Sequence, residues 1–290
     1  MNEAQLELFR PFEYAPAQMA PVVEAPAPIP EVQLTFFEPA SQLRAAWRTA
    51  LAKLDLAEAR RLLLEGPRDE AAEKDLALVE LLLGRHAKLE RALSDPYEAL
   101  AGLVPELPAW MVAGAHRTLF ALATRLGRDL GAASAGRHLD LAGDSAEAVA
   151  VIRSELQARP NDKRLLEHLG DALFRAGDVT EARRAYLAAA LQGASLTSAA
   201  DPDVAGLEET ARVVFEITTD LPGWAVAVGL VEGVFSAGLF FEPEVDSAGF
   251  AFAHTISKER TAQTHAQRVA SRRALKSLHP GLFARYLERL

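Results

Sequence analysis

Ala142-Gly143-Asp144-Ser145-Ala146-Glu147-Ala148 and Ala176-Gly177-Asp178-Val179-Thr180-Glu181-Ala182 stand 34 residues apart and share five of seven residues. Upstream, Gly136 and Leu139 recur as Gly170 and Leu173 in the same register. A period of this length marks one helix–turn–helix unit that buries its apolar face by stacking on its neighbours. In the second copy, Leu165, Leu166, Leu169, Ala172 and Leu173 fall on one stripe of a first helix. Gly170 lies inside that helix, where glycine costs about 1 kcal/mol relative to alanine unless close packing offsets it. Gly177 suits the left-handed residue that ends a helix. Asp178 follows as an N-cap, with Glu181 three residues on in the manner of a capping box. Ala182, Ala185, Tyr186 and Ala189 then form the stripe of a second helix.

These positions resemble the tetratricopeptide repeat family. The family pattern has a small residue at Gly170, alanines at Ala182 and Ala189, an aromatic at Tyr186 and a proline after the second helix. In the preceding unit the matches are Gly136, Leu139, Ala148 and Pro160, with Ile152 in place of the aromatic. In the later unit Ala194 stands at the proline position. The resemblance implies an all-α chain, an α-solenoid of tetratricopeptide-like hairpins. It also implies a protein or peptide partner bound along the face made by the first helices. The polar residues off the buried stripe there are Arg137, Asp140, Arg164, Glu167, Asp171 and Arg175, and they are the candidate groove residues. They lack the Lys/Asn set with which family members hold a C-terminal carboxylate.

Working outward, residues 1–40 differ from the rest. They hold seven of the sixteen prolines, six acidic residues and Arg10 as the one base. This composition predicts a disordered arm. Two apolar islands interrupt it, Leu6–Phe12 and Leu34–Phe37. Within the first, Gln5-Leu6-Glu7-Leu8-Phe9 resembles the short motif by which bacterial proteins dock onto the DNA sliding clamp. The resemblance implies that Gln5 satisfies polar groups at a pocket edge while Leu6, Leu8 and Phe9 fill it. Gln33-Leu34-Thr35-Phe36-Phe37 is a poorer version, with Phe36 where leucine is commoner. For Gln33, Leu34, Phe36 and Phe37 the favoured reading is that the island folds back over apolar surface of the helical stack. End units of such arrays need capping.

Between the arm and the two clear units, residues 41–129 read as degenerate hairpins. Ser41 is a candidate cap for a first helix with Leu43, Trp47 and Leu51 on one face. Asp55 marks a turn before a stripe of Ala59, Leu62 and Leu63. Residues 70–94 read as a helix pair broken at Gly84, and 96–126 as a short helix, a break at Pro105–Pro108 and a longer helix. The clear units span 130–194. Residues 195–290 read as further helices at 201–218, 222–240 and 256–278, then a short final one. Trp224–Phe241 is nearly long enough to span a membrane, but Glu232 and three glycines interrupt it, so a buried helix with Asp220 as its cap is the better reading.

The chain carries a formal net charge of −9 and no cysteine, which excludes disulfides, thiolate metal sites and cysteine catalysis. From Ser257 onward the charge is +6, leaving −15 on the rest. An acidic body argues against direct nucleic-acid binding. Arg268, Arg272 and Lys276 share a helix face, with Arg273 beside it, and read as the solvated face of a capping helix. None of the seven histidines has a metal-ligand spacing, and no phosphate loop or nucleophile elbow occurs. The sequence therefore reads as a cytoplasmic, non-enzymatic adaptor without cofactor, metal or membrane anchor. The alternative is a replication or repair accessory tethered to the sliding clamp through its arm.

Overall fold

A computed structural model describes residues 39–236 and 247–290. The described residues are helical, with no strand among them. The helices are α1 (Pro39–Ala52), α2 (Leu56–Glu65), α3 (Glu70–Leu93), α4 (Pro96–Gly102), α5 (Ala109–Leu126), α6 (Ala135–Leu141), α7 (Ser145–Ala158) and α8 (Lys163–Arg175). They continue as α9 (Val179–Leu191), α10 (Pro202–Ala205), α11 (Leu207–Val214), α12 (Leu221–Glu232), α13 (Ala248–Thr261), α14 (His265–Leu278) and α15 (Pro280–Glu288). From α1 to α4 and from α5 to α9, each helix packs on the next in chain order. α6 also packs on α8, α1 on α5, and α12 on both α9 and α15.

The repeated residues do repeated work. A Cβ built on Gly170 would lie 2.6 Å from the ring of Tyr186, and one on Gly136 would lie 2.3 Å from Ile152 Cγ1. Each glycine thus lets a first helix approach the large residue of its second helix, tyrosine in one unit and isoleucine in the other. Gly143 and Gly177 end the first helices with φ of +93° and +90°. Asp178 accepts from the Glu181 amide at 3.2 Å, which starts α9.

Several expectations need correction, among them the single helix over 201–218, which is two, α10 and α11, parted at Gly206. α3 runs unbroken through Gly84, because Val79 and Leu82 on one side of the helix are fully buried and hold it through the weak position. The stretch expected as one helix over 256–278 is divided, α13 ending at Thr261 and α14 starting after Thr264. There Thr264 and Gln267 form a complete capping box, which satisfies the amides freed by the break. α1 starts at Pro39 rather than after Ser41, since the fixed φ of proline suits a first turn.

α12 is buried along its length from Gly223 to Val231. No helix among the described residues is long and apolar enough to cross a membrane. Asp220 stands at the N-cap position of α12, where its carbonyl accepts from the Trp224 amide at 3.1 Å, but its side chain makes no capping bond. It holds φ of +54°, and its carboxylate accepts from Ser247 Oγ and, at 3.2 Å, from the Gly249 amide. It thereby ties the start of α12 to the start of α13. A Cβ on Gly249 would lie 2.3 Å from the Trp224 nitrogen, so these two helices meet backbone to backbone. The side chains of the repeats and of the helices after them join one apolar cluster, running from Leu139 to Tyr286. A second cluster, from Trp47 to Ala115, underlies α1 to α5.

The two kinds of glycine make opposite predictions. Gly170→Ala drives a methyl into the Tyr186 ring and is expected to destabilise by about 1–3 kcal/mol. At Gly84 an added Cβ meets nothing within 4 Å. Gly84→Ala should therefore stabilise by about 0.5–1 kcal/mol. Urea unfolding of the three proteins checks both signs.

Candidate interaction surface

The first helices of the two units, α6 and α8, are set by short caps. Ser134 Oγ accepts from the Arg137 amide at 3.2 Å, and Asp162 from the Arg164 amide at 3.0 Å. This places Arg137 on the first turn of α6, facing α8. Its guanidinium donates to Asp140 at 2.9 Å and across to Asp171 at 2.6 Å. Arg175 on α8 returns to Asp140 and stands 3.8 Å from Asp171. Two carboxylates and two guanidiniums thus alternate between the units.

Asp140 and Asp171 were expected off the buried stripe, and the structure places them inside: their side chains are 0% and 2% exposed. The physical reason is that α6 packs on α8 as well as on α7, so the polar face of α6 is itself an interface. Buried charge persists only when paired and hydrogen-bonded. Here the remaining lone pairs are filled. Ser145 Oγ donates to Asp140 at 2.8 Å, and Asp171 accepts from Tyr186 Oη at 2.6 Å and the Ala200 amide at 2.8 Å. Burial first, and then the hydrogen bond to Asp171, push the Tyr186 phenol above its ordinary range.

Of the six groove candidates, these two are therefore internal. Arg137 and Arg175 are 18% and 37% exposed and half committed to them. Arg164 is exposed and forms no ion pair among the described residues. Glu167 accepts from Ser198 Oγ at 2.6 Å. The open part of the surface is thus Arg164 and Glu167, with the outer edges of the two arginines. The arm candidates Gln5, Leu6, Leu8, Phe9, Gln33, Leu34, Phe36 and Phe37 lie outside the described residues.

Sequence reasoning missed a buried imidazole pair. His116 on α5 and His138 on α6 meet Nδ1 to Nδ1 at 3.1 Å. His138 Nε2 stands 3.0 Å from the Leu130 carbonyl. That carbonyl can only accept, so His138 donates through Nε2 and accepts through Nδ1, and His116 donates through Nδ1. Burial, with the neighbouring His138 and Arg137, pushes His116 down to about 4. Burial is also the largest influence lowering His138. His168, on α8, is likewise pushed to about 4 by burial and by Arg137. Two histidines 22 residues apart on different helices carry no local signature, so the sequence alone does not pair them.

Elsewhere, the basic helix α14 spends Arg272 on the buried Glu259 at 2.7 Å, and Tyr286 Oη donates to the same carboxylate at 2.8 Å. Burial opposes ionisation of Glu259, but these two donors outweigh it and hold its carboxyl below the usual range. Arg268, Arg273 and Lys276 are exposed. Open clefts lie between α11 and α15, about 500 Å³ lined by Thr210, Val214, Phe215, Glu232 and Arg285, and between α2 and α3. No group of three or more His, Asp or Glu among the described residues is placed to hold a metal ion.

The buried histidines fix a pH dependence. Their folded pKa is lowered, so their contribution is intact above the unfolded value near 6.5 and is lost as pH falls towards about 4. Between pH 7 and 5 one such group removes about 2 kcal/mol of stability. His116→Gln should flatten this slope in urea titrations at stepped pH, and an unchanged slope would contradict the assignment. No protein-family model, curated protein or solved structure matches the chain.

Proposed function

We propose that the chain is a tetratricopeptide-like α-solenoid adaptor that binds a protein or peptide along the face made by α6 and α8. The observation that carries this reading is the equivalence of packing at a spacing of 34 residues. Gly136 on Ile152 and Gly170 on Tyr186 play the same part, and the left-handed Gly143 and Gly177 end equivalent helices. Tying first helix to first helix through Arg137, Asp140, Asp171 and Arg175 leaves a preorganised polar face, with Arg164 in no ion pair among the described residues and Glu167 held by Ser198. A fixed face lowers the ordering cost of binding.

The test follows from that division. Asp171 is a poor probe, because removing one partner of a buried pair costs about 3–5 kcal/mol. Arg164→Glu combined with Glu167→Gln keeps the network and leaves an acceptor for Ser198 Oγ. It should weaken capture of the protein's partner at least about tenfold in a pull-down while leaving the thermal melt unchanged. Undiminished capture removes this face from consideration.

A second reading rests on Gln5-Leu6-Glu7-Leu8-Phe9. In it the arm tethers the adaptor to the bacterial sliding clamp, as a replication or repair accessory in the cytoplasm. A labelled peptide of residues 1–14 should then bind purified clamp, and Gln5→Ala with Phe9→Ala should abolish binding. Equal binding by the altered peptide sinks this reading.

A further inference from the structure

α14 is largely exposed, and Leu275 is its one buried residue. It carries Arg268, Arg272, Arg273 and Lys276 and no acidic residue. Arg272 pairs with Glu259 at 2.7 Å and fastens α14 to α13. Glu259 is itself 4% exposed, so it presents almost no charge to solvent. Arg273 and Lys276 form no ion pair among the described residues. Arg268 donates to the Ala262 carbonyl at 3.5 Å. The excess of negative charge on the chain lies before Ser257.

Arg268, Arg272 and Lys276 recur every fourth residue, which spreads them over about 12 Å of the helix. Arg273 lies one step round, and the exposed Ala266, Ala270, Ala274 and Ser277 adjoin it. Small side chains beside the cations let the helix backbone come close to a partner. α14 has no Phe, Tyr or Trp, and Leu278 at its end is its one exposed large apolar residue. A helix that lies in a membrane surface needs an apolar face. Stacking on the bases of a single strand needs exposed aromatic rings, and protein interfaces centre on aromatic anchors in well-packed pockets. α14 offers none of these. A row of cations with little to bury matches a phosphate backbone, whose charges stand about 3.4 Å apart along each strand.

We propose that α14 docks on double-stranded DNA, with Arg268, Arg273 and Lys276 on the phosphates. An α-helix with its side chains is about 10–12 Å across, and the major groove of B-form DNA is about 12 Å wide. The exposed alanines enter the groove while the cations reach the phosphates along one rim. The deep, narrow major groove of duplex RNA does not admit the same helix. Phosphate contacts carry no sequence information, so the binding is electrostatic and indifferent to sequence. Arg272 stays on Glu259 and positions the helix. The proposal goes beyond the adaptor reading, since it uses no residue of α6 or α8.

The test titrates the full chain into a labelled, mixed-sequence DNA duplex at low salt and follows fluorescence anisotropy. Binding should weaken with added salt, and three phosphate contacts give a slope of about −3 for log affinity against log salt. Arg268→Gln, Arg273→Gln and Lys276→Gln together should weaken binding at least about tenfold and remove most of that slope. All three side chains are exposed, so circular dichroism and the thermal melt should not change. Arg273→Glu alone is a second probe and should weaken binding in the same direction. The Arg164→Glu, Glu167→Gln protein should bind the duplex as the unaltered chain does, which separates this reading from the adaptor reading. Absence of binding at low salt, or binding unchanged by both α14 variants, overturns the proposal. So does equal competition, at matched charge, by duplex RNA, poly-glutamate or phosphatidylserine vesicles.

Discussion

The missing side chain at Gly170 brings α8 onto the ring of Tyr186, and a chain of contacts depends on that approach. With the ring seated, its hydroxyl reaches Asp171, and the same carboxylate takes the Ala200 amide from the connection to α10. Asp171 in turn receives Arg137 from the preceding unit. One close helix approach therefore fixes a hairpin, its neighbour and the start of the next segment. Side-chain volume at position 170 would displace all three.

The charge network works under the constraint that buried ions must be matched. Taken singly, Asp140 or Asp171 would be costly to bury. Alternation with Arg137 and Arg175, together with donors from Ser145 and Tyr186, removes the mismatch. The guanidiniums keep their outer edges in water, as long amphipathic side chains do. The same network takes Asp140 and Asp171 inside, so the remaining charges of that face are Arg164, in no ion pair among the described residues, and Glu167, which accepts from Ser198.

Much of the helix pattern was legible because caps and turns are local. Asp55, Asp178 and Gly177 act where their types predict. Asp220, Gly84 and the Ala262–Thr264 break were not legible. Asp220 sits at its own helix's N-cap, but its side chain serves the neighbouring α13. Gly84 sits in a helix held by buried leucine and valine on α3. The break before α14 has no glycine or proline to announce it, and the reciprocal Thr264–Gln267 bonds, with the Gln263 amide on the same Gln267 oxygen, stabilise it.

The sequence by itself determined the all-helical class, the repeat length and the stripes that each hairpin buries, because these follow from periodicity within one helix or turn. It did not determine that Asp140 and Asp171 go inside, or that His116 meets His138. Those outcomes depend on which second face of a helix is covered when α6 lies against α5 and α8. A helical wheel describes one helix, and only the stacking of neighbours decides how many of its sides are interior.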